Sequence, residues 1–340
     1  VQRILISILT ITTLASACLI ERSAPTDITL YGFSIMKEAM EKAIIPGFTQ
    51  SWKEKSGQEV SVTSSYAGSE TITNQILSGV KADVAILSIE RDAQRLKEKG
   101  FVSSDWRALP CKGIINKTPF VILVRKGNPK KIRDFADLAR PGIRLIHPDP
   151  VSSGGAQWSL LAIYGSELIK SERETGEANK ERAADLLKRI WANVVTTPGS
   201  AREGRTQFET GFGDALITYE MDALLMQDKQ GGKGGEVEIA VPQASIFSEH
   251  PVVMIDRNIS GDRRPLVEAF VNYLWSREAQ GAFVKYYLRS VTDESLNKNE
   301  PRFAAIQLPF TIDYFGGWER AFPEIIEGVW KNRIRSSGGD

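Results

Sequence analysis

Cysteine and histidine are scarce in this chain of 340 residues, with two of each: Cys18, Cys111, His147 and His250. All four would be needed for one tetrahedral zinc site, and they show none of the short intervals such sites use. A disulfide scaffold is excluded on the same count. Charge of one sign is lacking too, since 43 Lys and Arg stand against 42 Asp and Glu. No net field is available to hold a polyanion, so nucleic acid is not an expected partner. The apolar run from Ile4 to Leu14 is short of the ~20 residues that cross a bilayer as a helix. The glycine-rich Gln230–Gly235 lacks the Lys-Ser or Lys-Thr pair of a phosphate loop, and no Gly-x-Ser-x-Gly elbow or fixed-period repeat occurs. No acidic pair stands out as general acid and base, and no metal or cofactor is expected.

The N-terminus does carry a signal. Val1-Gln2-Arg3, the apolar run, then Ala15-Ser16-Ala17 have the layout of a secretory signal peptide over residues 1–17. Cys18 follows directly, where an exported bacterial lipoprotein carries its acylated thiol. Leu14 lies one place further back than a lipobox requires, so lipidation of Cys18 and plain cleavage after Ala17 both stand open. Loss of residues 1–17 removes one charge, Arg3, and leaves a neutral domain.

Further on, the chain alternates between two hydrophobic periods. Ile28 to Phe33 reads as a strand, and from Ser34 the spacing turns helical, with Ser34 as the N-cap. Val60 to Tyr66 repeats the pattern through Ala67-Gly68-Ser69 into a helix from Glu70. Ala82 to Leu87 precedes a helix over Glu90 to Lys99. Ile143 to Ile146 runs through Ser152-Ser153-Gly154-Gly155 into a long helix, and Asp214 to Glu220 leads to another. Such alternation predicts an α/β fold with mostly parallel sheets flanked by helices. His147 and His250 adjoin Pro, Ser or Glu and read as turn residues in loops. Cys111 reads as a plain structural thiol.

Four strand-to-helix turns end in small or hydroxyl residues: Ser34, Gly68-Ser69, Ser153-Gly154-Gly155 and Ser200-Ala201. A helix start offers unpartnered N–H groups and about half a positive charge, so several facing one cleft would hold an oxyanion without Lys or Arg. Taken singly, each is also what an ordinary helix cap looks like.

Several stretches in order, Lys126-Gly127-Asn128-Pro129-Lys130, Pro148-Asp149-Pro150, Ser152 to Ala156, Ala201-Arg202, Gly213-Asp214, Phe310-Thr311-Ile312-Asp313 and Phe315-Gly316-Gly317-Trp318, resemble the sulfate- and thiosulfate-binding proteins of bacterial ABC importers. The resemblance runs from about Ile28 to Trp318. It implies a two-lobed periplasmic-binding-protein fold of type II with two hinge crossings, lobe one over 28–120 plus 242–330 and lobe two over 121–241. Carried onto this chain, the ligand positions are Ser69, Ser153, Gly154, Gly155, Ala201 and, where the family has Trp, Tyr219. The family's Ser-Tyr-Asp-Pro-Thr-Arg is altered, its Asp falling on Ile35, and Ser34 is expected to stand in through its hydroxyl and the N–H groups after it. Glu70, beside Ser69, is expected as an exposed first-turn residue.

The function implied is a receptor in the periplasm or on the outer face of the membrane, a monomer, that binds sulfate or thiosulfate and delivers it to an ABC permease and its ATPase. Phosphate or molybdate is the alternative ligand. An ester hydrolase using the same cleft is the rival class; it needs an activated nucleophile or a metal, and the sequence offers neither.

Overall fold

The computed structural model describes residues 27–229 and 236–338; the expected signal peptide, Cys18 and the Gln230–Gly235 excursion lie outside them. The described strands are β1 (Asp27–Phe33), β2 (Ser61–Ala67), β3 (Val84–Ile86), β4 (Ile114–Arg125), β5 (Leu145–Ile146), β6 (Val194–Thr196), β7 (Ala215–Tyr219), β8 (Val237–Ala240), β9 (Ala244–Met254) and β10 (Leu308–Phe310). They form one hydrogen-bonded path, β2-β1-β3-β9-β4-β7-β5-β6, with β10 on β9 and β8 on β4.

The short strands pair in parallel, β1 with β2 and β3, and β5 with β6 and β7. Helices cross over between them, as parallel pairing requires. β3 and β7 are buried along their whole length, which is why they read as unbroken apolar runs. The two long strands behave differently. Ile114 to Pro119 of β4 runs antiparallel to Phe247–Pro251 of β9. Past that point β4 continues along β7 and β8, while β9 continues at Val252–Met254 along β3. These two strands carry the chain between one group of strands (β1, β2, β3) and another (β5, β6, β7, β8).

Each group has apolar cover. Ile72, Leu96, Trp106 and Val253 pack on one face of the first, and Val121, Ile146, Phe208 and Leu216 on the second, beside a larger shared core. A side chain such as Ile28 or Leu30, fully buried in β1, contributes ~1.5–3 kcal/mol by leaving water.

Two local expectations are overturned. His250 is no loop residue: it lies inside β9, fully buried, with Nδ1 2.6 Å from the side-chain amide oxygen Oδ1 of Asn116 and Nε2 3.1 Å from Ser248 Oγ. Strand β9 begins eight residues earlier than its apolar tail suggests, because Ser245 and Ser248 satisfy their hydroxyls on β4 carbonyls and so remain inside. His147 does follow β5 outside regular structure, yet it is wholly buried, with Nδ1 2.7 Å from the Pro148 carbonyl and Nε2 2.6 Å from Ser159 Oγ.

The C-terminal part divides between the two groups. Helices Arg264–Tyr273 and Arg277–Lys285 pack on β9 and on the helical turn Met40–Ile44. β10 instead pairs with Ala244–Ile246, and the segment after it covers helices Gly154–Thr175 and Lys180–Trp191. Trp318 meets Trp158 at 4.7 Å between ring centroids, Trp330 meets Trp191 at 5.3 Å, and Arg333 binds Glu181 at 2.7 Å.

Candidate anion site

Each expected turn falls at a helix start. In the long helix Gly154–Thr175, Ser153 is the N-cap, and its Oγ accepts the Ala156 N–H at 3.3 Å. The first intrahelical bonds run from Ala156 and Gln157 to the Ser153 carbonyl, so the Gly154 and Gly155 N–H groups precede them. Helix Ala201–Glu209 repeats this: Ser200 Oγ takes the Glu203 N–H at 3.2 Å, leaving those of Ala201 and Arg202 ahead of the ladder. Helix Ser69–Leu77 starts one residue earlier than expected, with Gly68 as its N-cap and no side-chain cap. Ser34 likewise is the first residue of its helical run, not the cap; Phe33 holds that place, and no side-chain cap bond forms there.

The turns meet where the two groups of strands face each other. A Cβ built on Gly154 would lie 2.8 Å from Ser88 Cβ and 3.1 Å from Ser69 Cβ, and one on Gly155 would lie 2.6 Å from Tyr219 Oη. These two glycines therefore admit the Ser88 and Ser69 side chains and the tyrosine at a distance no other residue allows. Gly68 packs on the Ser152 and Gly199 carbonyls, which brings the Ser200-Ala201 start to the same junction. Ser69, Gly154, Gly155 and Tyr219 are thus assembled directly, with Ser153 and Ala201 adjoining. Ser34 joins less closely: the Ser34–Met36 turn lies against helix Ala201–Glu209, and the Phe33 ring is 6.3 Å from that of Tyr219.

One member was missed. Ser88, at the end of the β3 segment, places its Oγ 2.9 Å from Tyr219 Oη, gives its N–H to Ser69 Oγ at 3.0 Å, and has its carbonyl taken by Trp158 Nε1 at 2.7 Å. Its signal was available, since Ala82 to Leu87 ends at a Ser just before a helix, as the other turns do. Trp158 packs behind the junction. Of the two hydroxyl protons in the Ser88–Tyr219 pair, one is shared between the oxygens and the other is left for a further acceptor. Burial pushes the Tyr219 hydroxyl far above its ordinary range, so it stays protonated.

Formal charges lie just behind this centre. Glu38 reaches across to Arg202 at 2.7 Å and Arg205 at 2.9 Å, and Arg205 also holds the wholly buried Asp222 at 2.5 Å. Burial alone would raise Glu38, but the two guanidinium groups outweigh it and hold its carboxyl at about 2. Glu70 corrects an expectation: it is buried, not exposed, bound by Arg91 at 3.0 Å, by Arg95, and by Gln157 Nε2 at 3.1 Å. Arg91 and Arg95, from the next helix, neutralise a carboxylate that would otherwise repel an anion, and Gln157 donates to it from helix Gly154–Thr175 across the junction. His147 and His250 are held at about 4 and about 3 by burial, so neither is charged near neutral pH. Among the described residues no cluster of His, Cys, Asp and Glu has metal-site geometry, and no helix is long and apolar enough to cross a membrane.

This chain is similar to known proteins in sequence and in fold. A sulfate-binding protein of Synechococcus elongatus is 34% identical over 317 residues, which cover 92% of this chain and 87% of that protein. A thiosulfate-binding protein of Escherichia coli is 31% identical, with 92% of this chain and 90% of that protein covered. Among solved structures, the sulfate-binding protein SubI from Mycobacterium tuberculosis superposes with a TM-score of 0.78 at 32% identity, over 88% of this chain and 99% of that one. The fold is accordingly the two-lobed one of periplasmic binding proteins, β4 and β9 making the two crossings. Residues 28–289 match the model of the bacterial extracellular solute-binding proteins, and the chain belongs to that family.

Proposed function

We propose that this protein is the extracytoplasmic receptor of an ABC importer for a tetrahedral oxyanion, sulfate or thiosulfate, which it holds between its lobes by neutral donors. The observation that carries the reading is the meeting of the Ser69, Gly154 and Ala201 helix starts with the Tyr219 hydroxyl at one junction, while the nearby Arg and carboxylate groups neutralise one another. Such donors suit a fully ionised guest that brings no proton. The relatives named above for sulfate and thiosulfate binding support the same ligand class.

The lobes, on this reading, are 27–119 with 247–298, and 120–246 with 308–334, the tail joining the second lobe because of its contacts with helices Gly154–Thr175 and Lys180–Trp191. Ligand release is a hinge opening about β4 and β9. The receptor acts as a monomer, without covalent chemistry, either free in the periplasm or tethered through Cys18. Calorimetric titration with sulfate, thiosulfate, phosphate and molybdate, beside an assay for ester turnover, tests the proposal. Saturable sulfate or thiosulfate binding without turnover is the expected result; turnover abolished by Ser153→Ala would overturn it.

A further inference from the structure

We infer that Asp92 is a positioning residue of the anion site, acting through Ser69, and that anion binding is coupled to uptake of one proton by its carboxylate. The inference rests on the receptor reading above. A serine hydroxyl has one proton to give and two lone pairs. Ser69 Oγ gives its proton to Asp92 Oδ2 at 2.5 Å and accepts the Ser88 N–H at 3.0 Å. With Asp92 ionised, this hydroxyl has nothing to offer a ligand, although its side chain lies against Gly154.

Asp92 is fully buried, and among the described residues its other oxygen has only Arg95 Nη1, at 3.4 Å. The charged groups facing it are Glu70 from helix Ser69–Leu77 and Arg91 and Arg95 from its own helix. Both arginines are engaged with Glu70, and Arg91 also lies 3.5 Å over the ring of Phe322, which packs there from the C-terminal segment. Burial and the neighbouring Glu70 push the Asp92 carboxyl up, against the Ser69 bond. A dianion at Gly154 adds further negative charge to this volume and favours protonation more strongly.

Once protonated, Asp92 donates to Ser69 Oγ, which keeps the Ser88 N–H on its second lone pair and turns its own O–H toward the anion. One proton passes from solvent to Asp92, and only hydrogen bonds change. Because the complex holds that proton more tightly than the free protein, affinity rises as pH falls and declines as pH rises.

The test is calorimetric titration of the exported domain with sulfate from pH 5.5 to 8.5 at constant ionic strength, in two buffers of different ionisation enthalpy. Sulfate remains a dianion throughout. Binding about tenfold tighter at pH 5.5 than at 8.5, with proton uptake peaking at about one half per sulfate, is expected. Asp92→Asn and Ser69→Ala should each give a flat profile, Ser69→Ala with affinity lowered about fivefold or more at pH 5.5. The wild-type proton count decides the matter even if a variant folds poorly. Tight binding with no pH dependence, or an Asp92→Asn profile that keeps the wild-type slope, overturns the coupling and leaves the receptor reading standing; no sulfate binding at any pH overturns both.

Discussion

The centre of the junction and its surroundings solve opposite electrostatic problems. At the centre, Gly154, Gly155, Ala201 and Tyr219 present dipoles and no formal charge. Around it, Glu38, Arg202, Arg205 and Asp222 on one side and Glu70, Asp92, Arg91 and Arg95 on the other are buried or half-buried, two acids against two arginines in each set. The difference teaches how a dianion can be desolvated without a counterion: the charges brace the two lobes against each other, and the oriented amides face the guest.

Substitutions should separate the two roles. The largest effect belongs to the surroundings: Arg205→Met leaves Glu38 and Asp222 facing each other without their shared cation and should cost ~3–5 kcal/mol of stability in denaturant unfolding. Acid should act on the same region. Glu38, held at about 2, contributes stability that is present above the ordinary carboxylate range and lost as pH falls through it towards about 2. His147 and His250, held neutral at about 4 and about 3, lose theirs as pH falls below the ordinary histidine range. The stability these three groups contribute should therefore fall from about pH 6.5 downwards, by about 1.4 kcal/mol per group and pH unit within each window, and Glu38→Gln should remove the lower part of that fall, both read from denaturant unfolding.

The centre is predicted to behave the other way, with affinity lost and a smaller cost in stability than at Arg205. Gly155→Ala drives a methyl into Tyr219 and should weaken sulfate binding by ~1–3 kcal/mol in calorimetry. Tyr219→Phe, which removes one hydroxyl and strands Ser88, should weaken it by ~1–2 kcal/mol. Equal stability losses from these two and from Arg205→Met would erase the distinction. Cys111→Ser, at an exposed thiol that meets the Val291 carbonyl, should change neither affinity nor midpoint.

What was legible in the sequence follows from range. A strand ending in Ser or Gly before a helical period is a local signal, and it located the Ser69, Ser153-Gly154-Gly155 and Ala201 helix starts at the junction. Ser88 obeys the same grammar, standing after a buried strand and just before a helix. Glu70 was misread because its partners Arg91 and Arg95 lie 21 and 25 residues away on another helix, a pairing that no periodicity announces. His250 was hidden by Glu249 and Pro251, which break the look of a strand, while its buried partners Asn116 and Ser248 are visible only after β4 and β9 have paired. The alternation of strands and helices gave the fold class; the destination of the last helices, decided by tryptophan contacts over long separations, was beyond its reach.

Helix Gly154–Thr175 is roofed by residues that come much later in the chain, at Trp318 and beyond. During synthesis the donors at its start are therefore made before the residues that cover it. A chain ending short of Trp318 would carry every donor of the junction and lack the roof over that helix.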